Sequence, residues 1–222
     1  MIEHRVKTTT HGRYLVQQPD LQPAPVLVGF HGYAERTEVQ LDRLRAIPGA
    51  GRWCLVSIQG LHQFYQPRTN DVVASWMTRQ DRELAIADRV AYVTAVLETV
   101  TAEYRTRPPL VLAGFSQGAS MAFRAAVRAT PHPAAVMAVG GDVPPELGPE
   151  ALQHVSTALI CRGALDAVYS SEQFTRDIER LRAGGVSVRR YEFDGGHEWP
   201  HEMSDAAARF LEAAERSAAT MR

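Results

Sequence analysis

Ser116 stands at the centre of Gly114-Phe115-Ser116-Gln117-Gly118, with acids and histidines further along the chain that can serve it. A serine hydroxyl is a weak nucleophile near neutral pH. It needs a base within hydrogen-bond reach and an acid to orient that base. The pentapeptide has the G-x-S-x-G form, which carries meaning only where a strand turns sharply into a helix. Here Leu110-Val-Leu-Ala-Gly114 reads as a buried strand, and Ala119-Ser120-Met121-Ala122-Phe123 opens a segment rich in small residues. Such a turn strains the serine backbone and exposes its hydroxyl, while the flanking glycines let strand and helix approach closely. The serine also falls at a helix N-terminus, where free N–H groups favour developing negative charge. The chemistry this predicts is attack on an acyl carbon.

The G-x-S-x-G turn resembles that of the α/β-hydrolase fold, and the resemblance implies the chain order serine, acid, histidine, on successive strand ends. His132 sits between Pro131 and Pro133 just after the serine's helix, at the wrong end of the sheet. His154 precedes a strand, and His201 begins the last helix. His197 follows the last strand through Asp194-Gly195-Gly196 and is the expected base. Asp166 follows an earlier strand through Arg162-Gly163-Ala164-Leu165 and is the expected acid. Asp142, after the preceding strand, is the alternative; Asp194 lies too close to His197 to hold its ring, and Glu172 is a further rival. An oxyanion hole should pair the N–H of Gln117 with that of Tyr33, in the loop His31-Gly32-Tyr33-Ala34-Glu35. His31 reads as structural, its ring hydrogen-bonded within that loop.

These positions need a scaffold, and the pattern supplies one. Short apolar runs at 26–30, 53–58, 110–114, 135–139, 157–161 and 188–193 read as strands buried on both faces. They alternate with helical segments near 37–47, 81–105, 117–130, 171–183 and 201–219, the signature of an α/β domain with a mostly parallel sheet. Asp81 is the expected N-cap of the longest helix, with Leu84 starting its apolar face. Residues 1–7 and 12–18 are expected to add an antiparallel hairpin at one edge. Residues 59–80 read as a long irregular loop packed over the site, with Phe64, Tyr65, Trp76 and Met77 as substrate contacts. Residues 140–156 leave no room for a helical lid, so the site should be open. One domain over 1–222 accounts for the whole.

Composition narrows the function further. Formal charge is −1, from 24 basic and 25 acidic residues, with no block of one sign. That argues against nucleic acid as a partner. Apolar runs fall short of the roughly 20 residues that span a bilayer, so no stable membrane insertion is expected. The polar N-terminus shows no apolar signal segment. Lys7 is the sole lysine, and the scattered arginines read as compositional bias rather than an anion-binding patch. Cys54 and Cys161 fall in apolar strands, which reads as reduced thiols in a cytoplasmic protein. No H-E-x-x-H or comparable ligand cluster is present, so neither metal nor other cofactor is expected. The expected partner is a small-molecule ester, and a homodimer is compatible with the pattern.

Taken together, His31-Gly32-Tyr33, Gly114-Phe115-Ser116-Gln117-Gly118-Ala119, Gly163-Ala164-Leu165-Asp166 and Gly195-Gly196-His197-Glu198 resemble the carboxylesterase/phospholipase branch of α/β hydrolases. That branch includes bacterial carboxylesterases and acyl-protein thioesterases. The resemblance implies a lidless hydrolase of small or monoacyl esters and thioesters, with Ser116, Asp166 and His197 as a triad and Tyr33 and Gln117 as backbone donors. It also implies that Ser75-Trp76-Met77 is the aromatic segment beside the active site. Relatives often carry glycine where this chain has Ala34, and alanine is strained there if the position needs φ > 0. A thioesterase or a lysophospholipase shares the same motifs, and a non-catalytic binding protein on this scaffold is the reading from another class.

Overall fold

The computed structural model describes residues 1–220. Alternating side chains on β2 (Ala24–Phe30) show how the sheet is built, since all seven residues are buried. Val26, Val28 and Phe30 join one apolar cluster, while Leu27 joins the other. A strand buried on both faces needs a helical layer on each side. The first face is covered by α2 (Arg82–Glu103), α3 (Gln117–Arg128) and α5 (Ser171–Ala183). The second is covered by α1 (Thr37–Arg45) and α6 (Ser204–Thr220).

The sheet has seven strands in the order β1-β3-β2-β6-β7-β8-β9. Here β1 is Tyr14–Gln17, β3 Cys54–Ile58, β6 Thr106–Phe115, β7 Ala135–Val139, β8 Thr157–Gly163 and β9 Ser187–Phe193. Pairing is parallel from β3 through β9, and β1 alone is antiparallel. This is the mostly parallel sheet that the run of short apolar segments predicts. The loops carrying His31, Ser116, Gly140, Asp166 and His197 all leave the carboxyl ends of parallel strands, where open α/β sheets place their sites.

Four expectations need correction. No hairpin forms from 1–7 and 12–18: residues 1–13 carry no strand and are exposed, because they have no apolar alternation to bury. Only Tyr14–Gln17 pairs, and its partner is β3. The stretch 59–80 is not irregular; β4 (His62–Tyr65) and β5 (Val72–Ser75) pair as a separate antiparallel hairpin. Asp81 does not cap α2: its backbone is left-handed at φ 48°, it makes no capping bond, and its carboxylate pairs with Arg5. Leu84 points to solvent, and the buried face of α2 runs through Ile86, Val90, Val93, Leu97 and Val100.

Between β7 and β8 the only helix is the single turn α4 (Pro149–Leu152), so no separate lid is present among the described residues. No described helix is long and apolar enough to cross a membrane.

Candidate active site

Ser116 ends β6 and begins α3 with φ 51° and ψ −119°. Backbone of this kind costs on the order of 1–3 kcal/mol and persists only where the surroundings enforce it. Close packing enforces it here. A Cβ at Gly114 would lie 2.2 Å from the Gly118 carbonyl oxygen, and one at Gly118 would lie 2.1 Å from that of Phe30. A Cβ at Gly141 would meet the Ser116 carbonyl oxygen at 2.2 Å. The Ser116 N–H donates to the Val139 carbonyl at 2.9 Å, which ties the turn to β7.

The structure brings Ser116, Asp166 and His197 together. His197 Nε2 lies 2.9 Å from Ser116 Oγ, and its Nδ1 lies 2.9 Å from Asp166 Oδ2. Asp166 is 4% exposed, and its other oxygen accepts the N–H groups of Val168 at 2.8 Å and Tyr169 at 2.9 Å. Those two bonds fix the carboxylate plane and compensate for its burial. Close contact between strand ends sets the separation: a Cβ at Gly163 would stand 2.2 Å from the Gly196 carbonyl oxygen. Asp142 is engaged elsewhere, accepting the Ser120 hydroxyl at 2.6 Å. His132 and His154 stack on each other with centroids 6.0 Å apart, away from this cluster.

The loop after β2 carries Tyr33, and no hydrogen-bond partner for the N–H of Tyr33 or Gln117 is found among the described residues. Around them the backbone is firmly held. His31 is buried, its Nδ1 bonded to the Gly32 carbonyl at 2.7 Å and its Nε2 accepting the Gly60 N–H at 2.9 Å. Burial lowers the pKa of His31; the Gly32 carbonyl and Glu35 pull it up, but less. A ring that accepts at Nε2 and faces a carbonyl at Nδ1 is satisfied as the neutral tautomer with its proton on Nδ1. Glu35 accepts the Gly32 N–H at 2.7 Å and takes both Arg43 nitrogens at 2.6 and 2.7 Å. The same guanidinium lies 4.3 Å over the Phe115 ring, which packs 5.1 Å from His197. Nothing in the sequence marks Glu35 and Arg43 as partners, because a loop residue meets a helix residue eight positions on.

A groove of about 840 Å³ opens beside Tyr33 and Gln117. Of the four aromatic and apolar residues expected to contact substrate, Phe64 and Met77 line it. Trp76 does not: it is fully buried, donates from its indole to the His31 carbonyl at 2.9 Å, and packs edge-on against Phe30. It is an anchor for the loop because an indole on this strand end reaches the core rather than the groove. Tyr65 is exposed and lies outside the groove wall. Ser120 and Arg124 were not anticipated as lining residues, although with Gln117 they share one face of α3 at helical spacing. Among the described residues no group of three or more acidic, histidine or cysteine side chains is placed to hold a metal ion.

A half-buried hydroxyl bonded to an oriented imidazole, beside two unused N–H groups, is suited to acyl transfer. Solved structures share the whole architecture. The Bacillus cereus carboxylesterase superposes with a TM-score of 0.74 at 17% identity, over 91% of this chain and 94% of its own. Esterase PE8 gives 0.70 at 21% identity, over 92% and 100%. The Zea mays acyl-protein thioesterase 2 gives 0.69 at 20% identity, over 92% and 99%. At these identities the likeness shows the fold, which is that of α/β hydrolases. Among curated protein sequences the chain has no significant match. The sequence profile of the phospholipase/carboxylesterase family matches residues 11–214, and the chain belongs to that family.

Proposed function

We propose that this protein is a serine esterase that hydrolyses carboxylic esters of small or monoacyl substrates through an acyl-enzyme. One observation carries the reading: His197 bridges Ser116 Oγ and the buried Asp166 carboxylate at 2.9 Å on each side. Ser116 Oγ attacks the ester carbonyl carbon as its proton passes to His197 Nε2. Asp166 accepts the Nδ1 proton in a hydrogen bond and stabilises the imidazolium. The carbonyl oxygen, now an oxyanion, is met by the N–H groups of Tyr33 and Gln117, each worth about 3–4 kcal/mol in such sites. Collapse expels the alcohol, which takes the proton from Nε2. Water then repeats the sequence on the acyl-enzyme and releases the carboxylic acid and free Ser116. Phe64 and Met77 contact the acyl portion in the groove. Two buried free thiols fit a reducing, cytoplasmic setting.

The test is hydrolysis of p-nitrophenyl butyrate by the wild-type chain and by Ser116→Ala, with circular dichroism to check the fold. The variant should lose roughly 10⁴-fold or more in kcat, and labelling by a fluorophosphonate should disappear with it. A folded Ser116→Ala protein that keeps full activity would overturn the reading. Running the matching butyryl thioester alongside measures the oxygen-to-sulfur preference.

A further inference from the structure

We propose that the groove beside Tyr33 and Gln117 ends in an anion subsite that selects esters whose acyl portion carries a free carboxylate. The inference deepens the esterase reading and rests on it for the identity of the reacting bond.

Arginines far apart in the sequence converge here. Arg79, Arg82 and Arg124 line the groove, and Asp142 is the only acid among its lining residues. Arg124 is 3% exposed, which is unusual for a guanidinium. Its Nε donates to Glu146 at 2.7 Å, but its two Nη groups find no acceptor among the described residues. Arg82 reaches the same Glu146 only at 3.4 Å, and Arg79 has no carboxylate partner among the described residues. Behind this wall, Arg89 is 2% exposed with Nε and Nη2 both buried and without a hydrogen-bond partner among the described residues. Burial lowers its pKa, and neighbouring Arg124 adds to that against the opposing pull of Asp88. Buried guanidinium donors without acceptors are costly. A carboxylate in the groove would offer an acceptor to the free Arg124 fork and would feel the field of all four cations.

The position of the groove assigns the anion to the acyl side. His197 returns its proton to the departing alcohol, so the leaving group lies against His197. Neither His197 nor any residue of the turn that carries it lines the groove. The groove departs instead from Tyr33 and Gln117, the oxyanion residues, and follows α3 to Arg124. Seven residues of helix span about 10 Å, a distance that a short dicarboxylic chain bridges with help from an arginine side chain.

The experiment compares p-nitrophenyl hexanoate with the mono-p-nitrophenyl ester of adipic acid, which has the same chain length and one added carboxylate. The wild-type chain should prefer the anionic ester by about tenfold or more in kcat/KM, as a charge-assisted contact predicts. That ratio should fall towards one in Arg79→Gln and Arg82→Gln, both exposed positions whose replacement leaves the buried Arg124 in place, and in rising salt. Calorimetric binding of adipate to Ser116→Ala gives a readout without turnover and should weaken in the same arginine variants. A wild-type ratio at or below one, or a ratio the arginine variants leave untouched, would overturn the subsite. Hydrolysis of neither ester with adipate still bound through the arginines would overturn the esterase reading and keep the subsite.

Discussion

The side-chain amide oxygen of Gln117 accepts the Trp76 N–H at 2.6 Å and the Ser75 hydroxyl at 3.1 Å. The same hairpin strand is held from its other side, where Ala34 N–H donates to the Ala74 carbonyl and Ala74 N–H to the Glu35 carbonyl, both at 3.0 Å. Thus β5 is fastened between the two segments that carry the candidate oxyanion donors. Gln117→Ala keeps its own main-chain N–H but strands the buried main-chain N–H of Trp76, at a cost of about 1–3 kcal/mol. A melting temperature lower by roughly 2–10 °C is expected for a chain of this size, together with reduced kcat/KM on a neutral ester. Unchanged melting and kinetics would show that the hairpin holds its place without Gln117.

Ala34 has φ 56°, so the position does require the left-handed region, as the glycine of relatives suggests. A non-glycine residue there carries about 1–2 kcal/mol of strain. Ala34→Gly removes it but frees the unfolded chain by about 0.4–1 kcal/mol. The net expectation is a gain of between zero and about 1.5 kcal/mol in denaturant unfolding. Ala34→Val adds β-branching where φ is positive and should lose more than the glycine variant gains. Destabilisation by glycine would contradict the strain.

How far the sequence carried depended on whether a pattern was local. Strands such as Cys54–Ile58 and Thr157–Gly163 are buried almost throughout, so each announces itself as an apolar run, and the parallel sheet follows. Ser116, Asp166 and His197 each sit past a strand end that the sequence shows, and the structure brings their side chains within hydrogen-bond reach. The hairpin at 59–80 stayed hidden because β4 is mostly exposed and pairs outside the main sheet. Burial of Trp76 is not legible in the sequence, because it depends on partners that folding brings in, here Phe30 and His31. The arginines look scattered along the chain since α2, α3 and the loop before α2 meet only on folding.

Cys54 and Cys161 are both buried and free, and burial alone raises their thiol pKa values, that of Cys54 to about 11. Few thiolates form at pH 8, and reagents must wait for the strands to open. Ellman's reagent should find almost no reactive thiol in the native protein and both after denaturation in guanidinium. Rapid reaction of either in the native state would contradict their burial. Esterase activity should likewise survive iodoacetamide.

His31 ties the stability of the loop that carries Tyr33 to pH. Its Nε2 must be unprotonated to accept the Gly60 N–H, and burial holds its pKa below the ordinary histidine value. The unfolded chain takes up this proton as pH falls through about 6.5, while the folded chain resists it. The unfolded state then binds more protons, so the contribution of His31 is fully present above pH 6.5 and is lost as pH falls towards the depressed folded value. His31→Ala strands the Gly60 N–H and a buried carbonyl, and at about pH 7.5 it should cost roughly 2–4 kcal/mol. The gap in melting temperature between wild type and variant should narrow as pH falls below about 6.5. A gap that stays constant or widens on acidification would mean that His31 is not held neutral, and the loop carrying Tyr33 would then owe its shape to Glu35 and Arg43 instead.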